Sequence, residues 1–138
     1  MARSMRSSKR VYVVDDDQGV LQSTRWLLEA EGFAIETFSS AAHFLATYDP
    51  AMVDCVILDL DMPEMDGLQV QKELRGRADC PPIIFASSCM DASRREQALH
   101  GGAIGFLEKP VDDEALCELL RQALERDRQT PGRQPPGK

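Results

Sequence analysis

The sequence predicts an α/β domain in which a five-stranded parallel sheet is sandwiched by helices. Three observations point there. Short, nearly continuous aliphatic runs recur along the chain, as in strands buried on both faces. Segments with apolar residues at helical spacing separate them. The connections are brief and rich in turn and capping residues, so strand and helix alternate and the strands pair in parallel through right-handed crossovers.

Taken in order, "VYVV" (Val11–Val14) is the first strand and ends at Asp15-Asp16-Asp17. Gln18 to Glu31 follows as a helix whose stripe is Val20, Leu21, Thr24, Leu27 and Leu28, with Gly32 as its stop. "FAIETF" (Phe33–Phe38) alternates like a strand with one exposed face, and Ser39 or Ser40 caps a helix running to about Tyr48. "VDCVIL" (Val53–Leu58) is the third strand and ends at Asp59. Gly67 to about Arg75 is the third helix, with Leu68, Gln71 and Leu74 in register and Asp66-Gly67 as its starting turn. "PIIFA" (Pro82–Ala86) leads to Ser87-Ser88. A polar helix from Asp91 to His100 has Ala92, Ala98 and Leu99 as its apolar content and stops at Gly101-Gly102. "IGFLE" (Ile104–Glu108) leads to Lys109-Pro110, and Asp112 or Asp113 caps a last helix built on Leu116, Leu119, Leu120, Ala123 and Leu124.

Composition narrows the class. At 138 residues the chain suits one domain, and 43% hydrophobic with 28% charged residues is a globular balance. No apolar run approaches the ~20 residues that cross a bilayer, and "MARSMRSSKR" lacks the apolar core of a secretion signal. The four cysteines, without C-x-x-C spacing or adjacent histidines, read as reduced thiols of a cytoplasmic protein. A net charge of -7 argues against the domain itself gripping nucleic acid. The expected organisation is a basic disordered start over 1–9, one domain over 10–128, and a Pro/Gly-rich tail or linker over 129–138.

In such a sheet every strand's C-terminal end reaches one edge, and ligands bind there at the switch in strand order. Strand 1 delivers Asp15, Asp16 and Asp17; strand 3 delivers Asp59; strand 4 delivers Ser87 and Ser88; strand 5 delivers Lys109. Close carboxylates repel by ~4 kcal/mol per pair at an effective dielectric of 20, so an offsetting cation is expected, and Mg²⁺ takes such oxygen ligands. Helix capping accounts for Asp17 and Asp112 but not for three consecutive acids directly after an apolar strand.

"VYVVDDD", "ILDLDMPEMDG", "IIFASS" and "GAIGFLEKP" together resemble the signatures of the receiver domain of response regulators in two-component signalling, over about Arg10 to Asp127. The resemblance implies the flavodoxin-like, doubly wound fold with strand order 2-1-3-4-5. It implies that Asp59 is the phosphoacceptor, taking a phosphoryl group from a histidine kinase or phosphotransfer protein. Asp16 and Asp59 would ligate Mg²⁺ (with Mn²⁺ able to stand in), Asp61 through its backbone carbonyl, and Asp15 through a water. Lys109 would pair with Asp59 at rest and with the phosphoryl group afterwards, and Ser87 would donate its hydroxyl to that group. Ser87 and Phe106 would form the switch, Asp61 and Ser88 would modulate phosphate lifetime, and the Lys109-Pro110 bond would be cis. The helix 4–strand 5–helix 5 face would then change partner binding or homodimerisation. Any nucleic-acid contact, as in receivers that precede LuxR-type modules, would belong to an output domain.

Asp59-Leu60-Asp61 also resembles the Asp-x-Asp of haloacid-dehalogenase phosphatases, and a phosphohydrolase using that pair is the alternative function. In that family the motif ends the first strand, whereas here Asp15-Asp16 precedes it. The remaining conspicuous residues have ordinary expectations: Trp26 as a half-covered boundary residue, His43 and His100 facing solvent, Met62 and Met65 as filler. Cys89 is either a redox thiol near the pocket or a small filler.

Overall fold

The computed structural model describes residues 9–77, 80–88 and 91–129. Residues 1–8 and 130–138, which hold most of the expected terminal segments, and Cys89 lie outside the described residues. Strands β1 (Arg10–Val14), β2 (Ala34–Phe38), β3 (Cys55–Leu58), β4 (Ile83–Ser87) and β5 (Gly105–Glu108) alternate with helices α1 (Gln18–Ala30), α2 (Ala41–Thr47), α3 (Gly67–Arg75), α4 (Ala92–His100) and α5 (Asp113–Gln129). All strand pairs are parallel, in the order β2-β1-β3-β4-β5. That is the doubly wound order, and it places the switch between β1 and β3.

Strand alternation divides the core into two layers. Tyr12, Val14, Val56, Leu58, Ile83 and Phe85 face α2, α3 and α4, where they meet Phe44, Val70, Leu74 and Ala98. Val11, Val13, Cys55, Ile57, Ile84 and Ala86 face α1 and α5, where they meet Leu21, Leu28, Leu116, Leu120 and Ala123. With successive side chains on opposite faces and both faces covered, the central strands read as unbroken aliphatic runs.

Helix ends follow local chemistry. Asp17 accepts hydrogen bonds from the N–H groups of Gly19 and Val20, Ser40 from His43, and Asp91 from Ser93. Asp66 and Gln69 form a reciprocal capping box at α3, and Asp112 accepts from the N–H of Ala115 at α5. The chain leaves α1 and α4 through Gly32 and Gly102, whose φ values of 99° and 100° a side chain would oppose.

Two sequence expectations need correction. The buried face of α3 is Gly67, Val70, Gln71 and Leu74; Leu68 is only partly covered, because the stripe is rotated toward Val70. Trp26 is 65% exposed rather than half covered. It lies about 160° around α1 from the buried Leu28 at 100° per residue, on the side away from the core. Met62 is buried in the core with Met65 packed on it, and both histidines are exposed. Among the described residues no helix is long and apolar enough to cross a membrane.

Candidate functional site

At their C-terminal ends β1 is tied to β3, and β4 to β5, by backbone hydrogen bonds that continue past the strands, while the β3–β4 ladder joins the two pairs. The N–H of Asp59 donates to the carbonyl of Val14 at 3.1 Å, and that of Lys109 donates to the carbonyl of Ser87 at 2.9 Å. The Asp15 N–H reaches back to the carbonyl of Phe38 on the far strand at 3.0 Å. These bonds hold Asp15, Asp59, Ser87 and Lys109 at one edge although they are spread over nearly a hundred residues of sequence.

Asp15 and Asp59 are buried at 3% and 5% exposure and Ser87 is fully buried, whereas Asp16 is exposed at the rim. One carboxylate oxygen each from Asp15, Asp16 and Asp59 lie within 4.8 Å of one another. Lys109 Nζ donates to Asp15 Oδ2 at 2.6 Å and to Asp59 Oδ2 at 3.5 Å. The expected Lys109–Asp59 pair is therefore the longer of two contacts. Asp15 Oδ1 also accepts the N–H of Asp17, and Asp59 Oδ1 that of Asp61 at 3.2 Å. The Lys109-Pro110 peptide bond is cis.

Electrostatics follow from this crowding. Burial pushes the Asp59 carboxyl above the ordinary carboxylate range, and the charge of Asp15 adds to the rise. Lys109, the Asp61 N–H and the Ser87 hydroxyl oppose it without reversing it. Burial alone would pull the Lys109 ammonium down, but the hydrogen bond and charge of Asp15, followed by those of Asp59, raise it overall. Three carboxylates face one ammonium, so the set has room for a divalent cation. All its nearby ligands are hard oxygens, which is what Mg²⁺ or Mn²⁺ accepts.

The loop after Asp59 is set by sterics. A Cβ on Gly67 would come 2.4 Å from the carbonyl oxygen of Asp59 and 2.9 Å from Leu60 Cα. Only glycine lets α3 begin this close to the end of β3, and the Gly67 N–H uses the approach to bond the Leu60 carbonyl at 2.7 Å. Ser40 ties the same loop to α2 through Glu64 Oε2 at 2.9 Å.

Other positions fall around this centre. Ser88 is exposed and lines, with Asp15, Asp59 and Lys109, a cavity of about 570 Å³ that runs toward Val20, Leu27 and Leu116. Phe106 is half-buried on β5, its ring 6.2 Å from that of Phe85, and the guanidinium of Arg95 covers its outer face at 5.2 Å. The Asp61 side chain is not in the acid cluster; Arg94 holds it at 2.8 Å. Sequence reasoning did not single out Arg94 or Arg95. Two consecutive arginines on a polar helix carry no signal of what they touch across the fold.

Comparison with known proteins agrees with this geometry. The family model described as "Response regulator receiver domain" matches residues 11–121. The response regulator protein TodT of Pseudomonas putida is 40% identical over 114 residues, covering 83% of this chain and 50% of that protein. The transcriptional regulatory protein FixJ of Azorhizobium caulinodans is 38% identical over 122 residues, covering 88% of this chain and 58% of its own length. The chain thus spans about half the length of the curated relatives it matches. Among solved structures, the response regulator StyR superposes with a TM-score of 0.82 at 37% identity, covering 88% of this chain and 62% of that one. A CheY-like receiver domain protein from Methanospirillum hungatei gives 0.83 at 25% identity, covering 88% and 98%.

Proposed function

The chain belongs to the response regulator receiver domain family, and from that premise we propose that it is a phosphorylation-dependent switch whose phosphoacceptor is Asp59. The observation that carries this reading is the convergence of Asp15, Asp16 and Asp59 around the ammonium of Lys109 at the strand edge. A carboxylate Oδ of Asp59 attacks the phosphorus of a phosphohistidine on a partner kinase or phosphotransfer protein, the P–N bond breaks, and the imidazole leaves. Mg²⁺, held by Asp15, Asp16, Asp59 and the carbonyl of Asp61, would neutralise charge on the phosphoryl oxygens.

This chain's own groups supply the rest. Asp15 holds Lys109 beside the acceptor, and the ammonium pairs with a phosphoryl oxygen as charge builds there. The Ser87 hydroxyl donates to another oxygen. The exposed Ser88 and Asp61 stand where water approaches and tune how long the acyl phosphate lasts. Phosphorylation adds close to two negative charges beside Ser87. Movement of Ser87 toward them opens space for Phe106 to turn inward from beneath Arg95, which changes the α4–β5–α5 face. That face then alters self-association or partner binding, and in a cytoplasmic regulator it would act on transcription through an output domain.

The test is direct. Incubation with Mg²⁺ and phosphoramidate or acetyl phosphate is expected to add one phosphoryl mass to the wild type and none to Asp59→Asn or to metal-free protein. Continuous phosphate release from varied phosphomonoesters would instead support a hydrolase built on Asp59 and Asp61.

A further inference from the structure

Asp61 lies two residues beyond Asp59, yet its side chain stays out of the acid cluster of Asp15, Asp16 and Asp59. The reason is a contact from α4. Arg94 Nη1 donates to Asp61 Oδ1 at 2.8 Å, and its Nη2 reaches the carbonyl of Leu60 at 3.3 Å and Asp66 Oδ2 at 3.5 Å. One guanidinium fork thus grips both ends of the β3–α3 loop, at Leu60-Asp61 and at the capping residue of α3. The Arg94 side chain is 24% exposed and that of Asp61 53%. A pair this wet contributes little to stability, so its consequence is positional.

We propose that Arg94 is a positioning residue that withholds the Asp61 carboxylate from the acid cluster, so that the site offers three carboxylates rather than four to a cation. The proposal rests on reading that cluster as a divalent-cation site. A planar fork suits the role, because it can fix a carboxylate and a backbone carbonyl together, which a lysine ammonium does less well. Freed from Arg94, Asp61 has a short, half-exposed side chain two residues from Asp59, free to turn toward the cluster. A fourth carboxylate would bind the cation more tightly and so hold the loop against release.

The sign of the effect separates positioning from mere support. Mg²⁺ affinity is measured by calorimetry, at fixed pH and ionic strength, for the wild type, Arg94→Gln, Arg94→Ala, Asp61→Asn and the Arg94→Gln/Asp61→Asn double variant. Both Arg94 variants are expected to bind about tenfold more tightly, the scale of one added nearby charge in a solvated site. Asp61→Asn alone should stay within about twofold of wild type, and in its background Arg94→Gln should change nothing further. Unchanged or weaker binding in Arg94→Gln and Arg94→Ala overturns the proposal, as does tightening that persists without Asp61, which would be a general charge effect. Asp59→Asn separates the two levels. If the wild type binds Mg²⁺ through Asp59 while the Arg94 variants do not tighten, only the positioning role falls. If the wild type does not bind, both fall.

Discussion

Lys109 pairs more closely with Asp15 than with Asp59, at 2.6 Å against 3.5 Å. The lysine is thus anchored chiefly by Asp15, the more deeply buried of the two acids, and reaches Asp59 only at the longer distance. This arrangement makes Lys109 a counter-charge shared by two buried acids.

Replacing Lys109 by Met should therefore uncover two buried carboxylates at once. Breaking a buried ion pair by removing one partner costs about 3–5 kcal/mol, and urea unfolding in metal-free buffer is expected to show a loss of that order. Adding Mg²⁺ should restore most of it, and the variant should bind the cation more tightly than wild type. A metal-independent loss would mean that Lys109 acts chiefly through packing.

Asp59→Asn should stabilise the metal-free domain at neutral pH. Asp59 is a carboxyl whose folded pKa is raised, by burial first and then by Asp15. Such a group contributes stability that is fully present below its ordinary pKa of ~3.9 and is lost as pH rises through the elevated folded value. Once pH exceeds that raised value the wild type has lost the contribution, so the neutral amide is better tolerated there. The expected gain is a few degrees in Tm, on a scale of roughly 3–6 °C per kcal/mol for a domain of this size. The difference should shrink on acidification toward ~pH 4, and proton competition should weaken Mg²⁺ binding over the same range. A gain independent of pH would count against the electrostatic origin.

Gly67→Ala should damage the site without touching any acid. Its Cβ would meet the Asp59 carbonyl at 2.4 Å, a backbone atom that cannot swing aside. Overpacking of this kind costs about 1–3 kcal/mol. Phosphoryl uptake should slow because the acceptor's own backbone is displaced. Normal uptake at normal stability would show that α3 shifts freely as a unit.

Much of this could be read from residue order. The central strands β1, β3 and β4 were legible because burial on both faces leaves no polar alternation to confuse, and the helix starts because Asp17, Ser40, Asp66 and Asp91 each cap one. The site was legible because parallel topology brings every strand end to one edge. Contacts chosen by side-chain geometry were not. Whether Lys109 leans to Asp15 or Asp59 is a matter of one rotamer, and Arg94 meets Asp61 across 33 positions of sequence. Gly67 read only as a turn residue, since its closeness to Asp59 arises from how tightly α3 docks. Trp26 shows the limit of a stripe argument, which says where a residue does not face but not what lies outside it.

Arg95→Ala should leave phosphoryl uptake unchanged while releasing the ring it covers. An exposed cation–π contact is worth ~0.5–1 kcal/mol, so stability should fall by no more than that. Aromatic NMR should report Phe106 sampling more than one rotamer before any phosphodonor is added. A single unaltered Phe106 environment would show that its stacking on Phe85 holds the ring without Arg95.

If Asp59 itself carries the phosphoryl group, borohydride trapping locates it there. Borohydride reduces an aspartyl phosphate to homoserine, which peptide mass spectrometry then locates. After treatment with phosphoramidate and Mg²⁺, homoserine is expected at residue 59 and nowhere else. Homoserine at Asp16 or Asp61, or a phosphoryl mass that survives borohydride on a hydroxyl side chain, would place the acceptor elsewhere than Asp59.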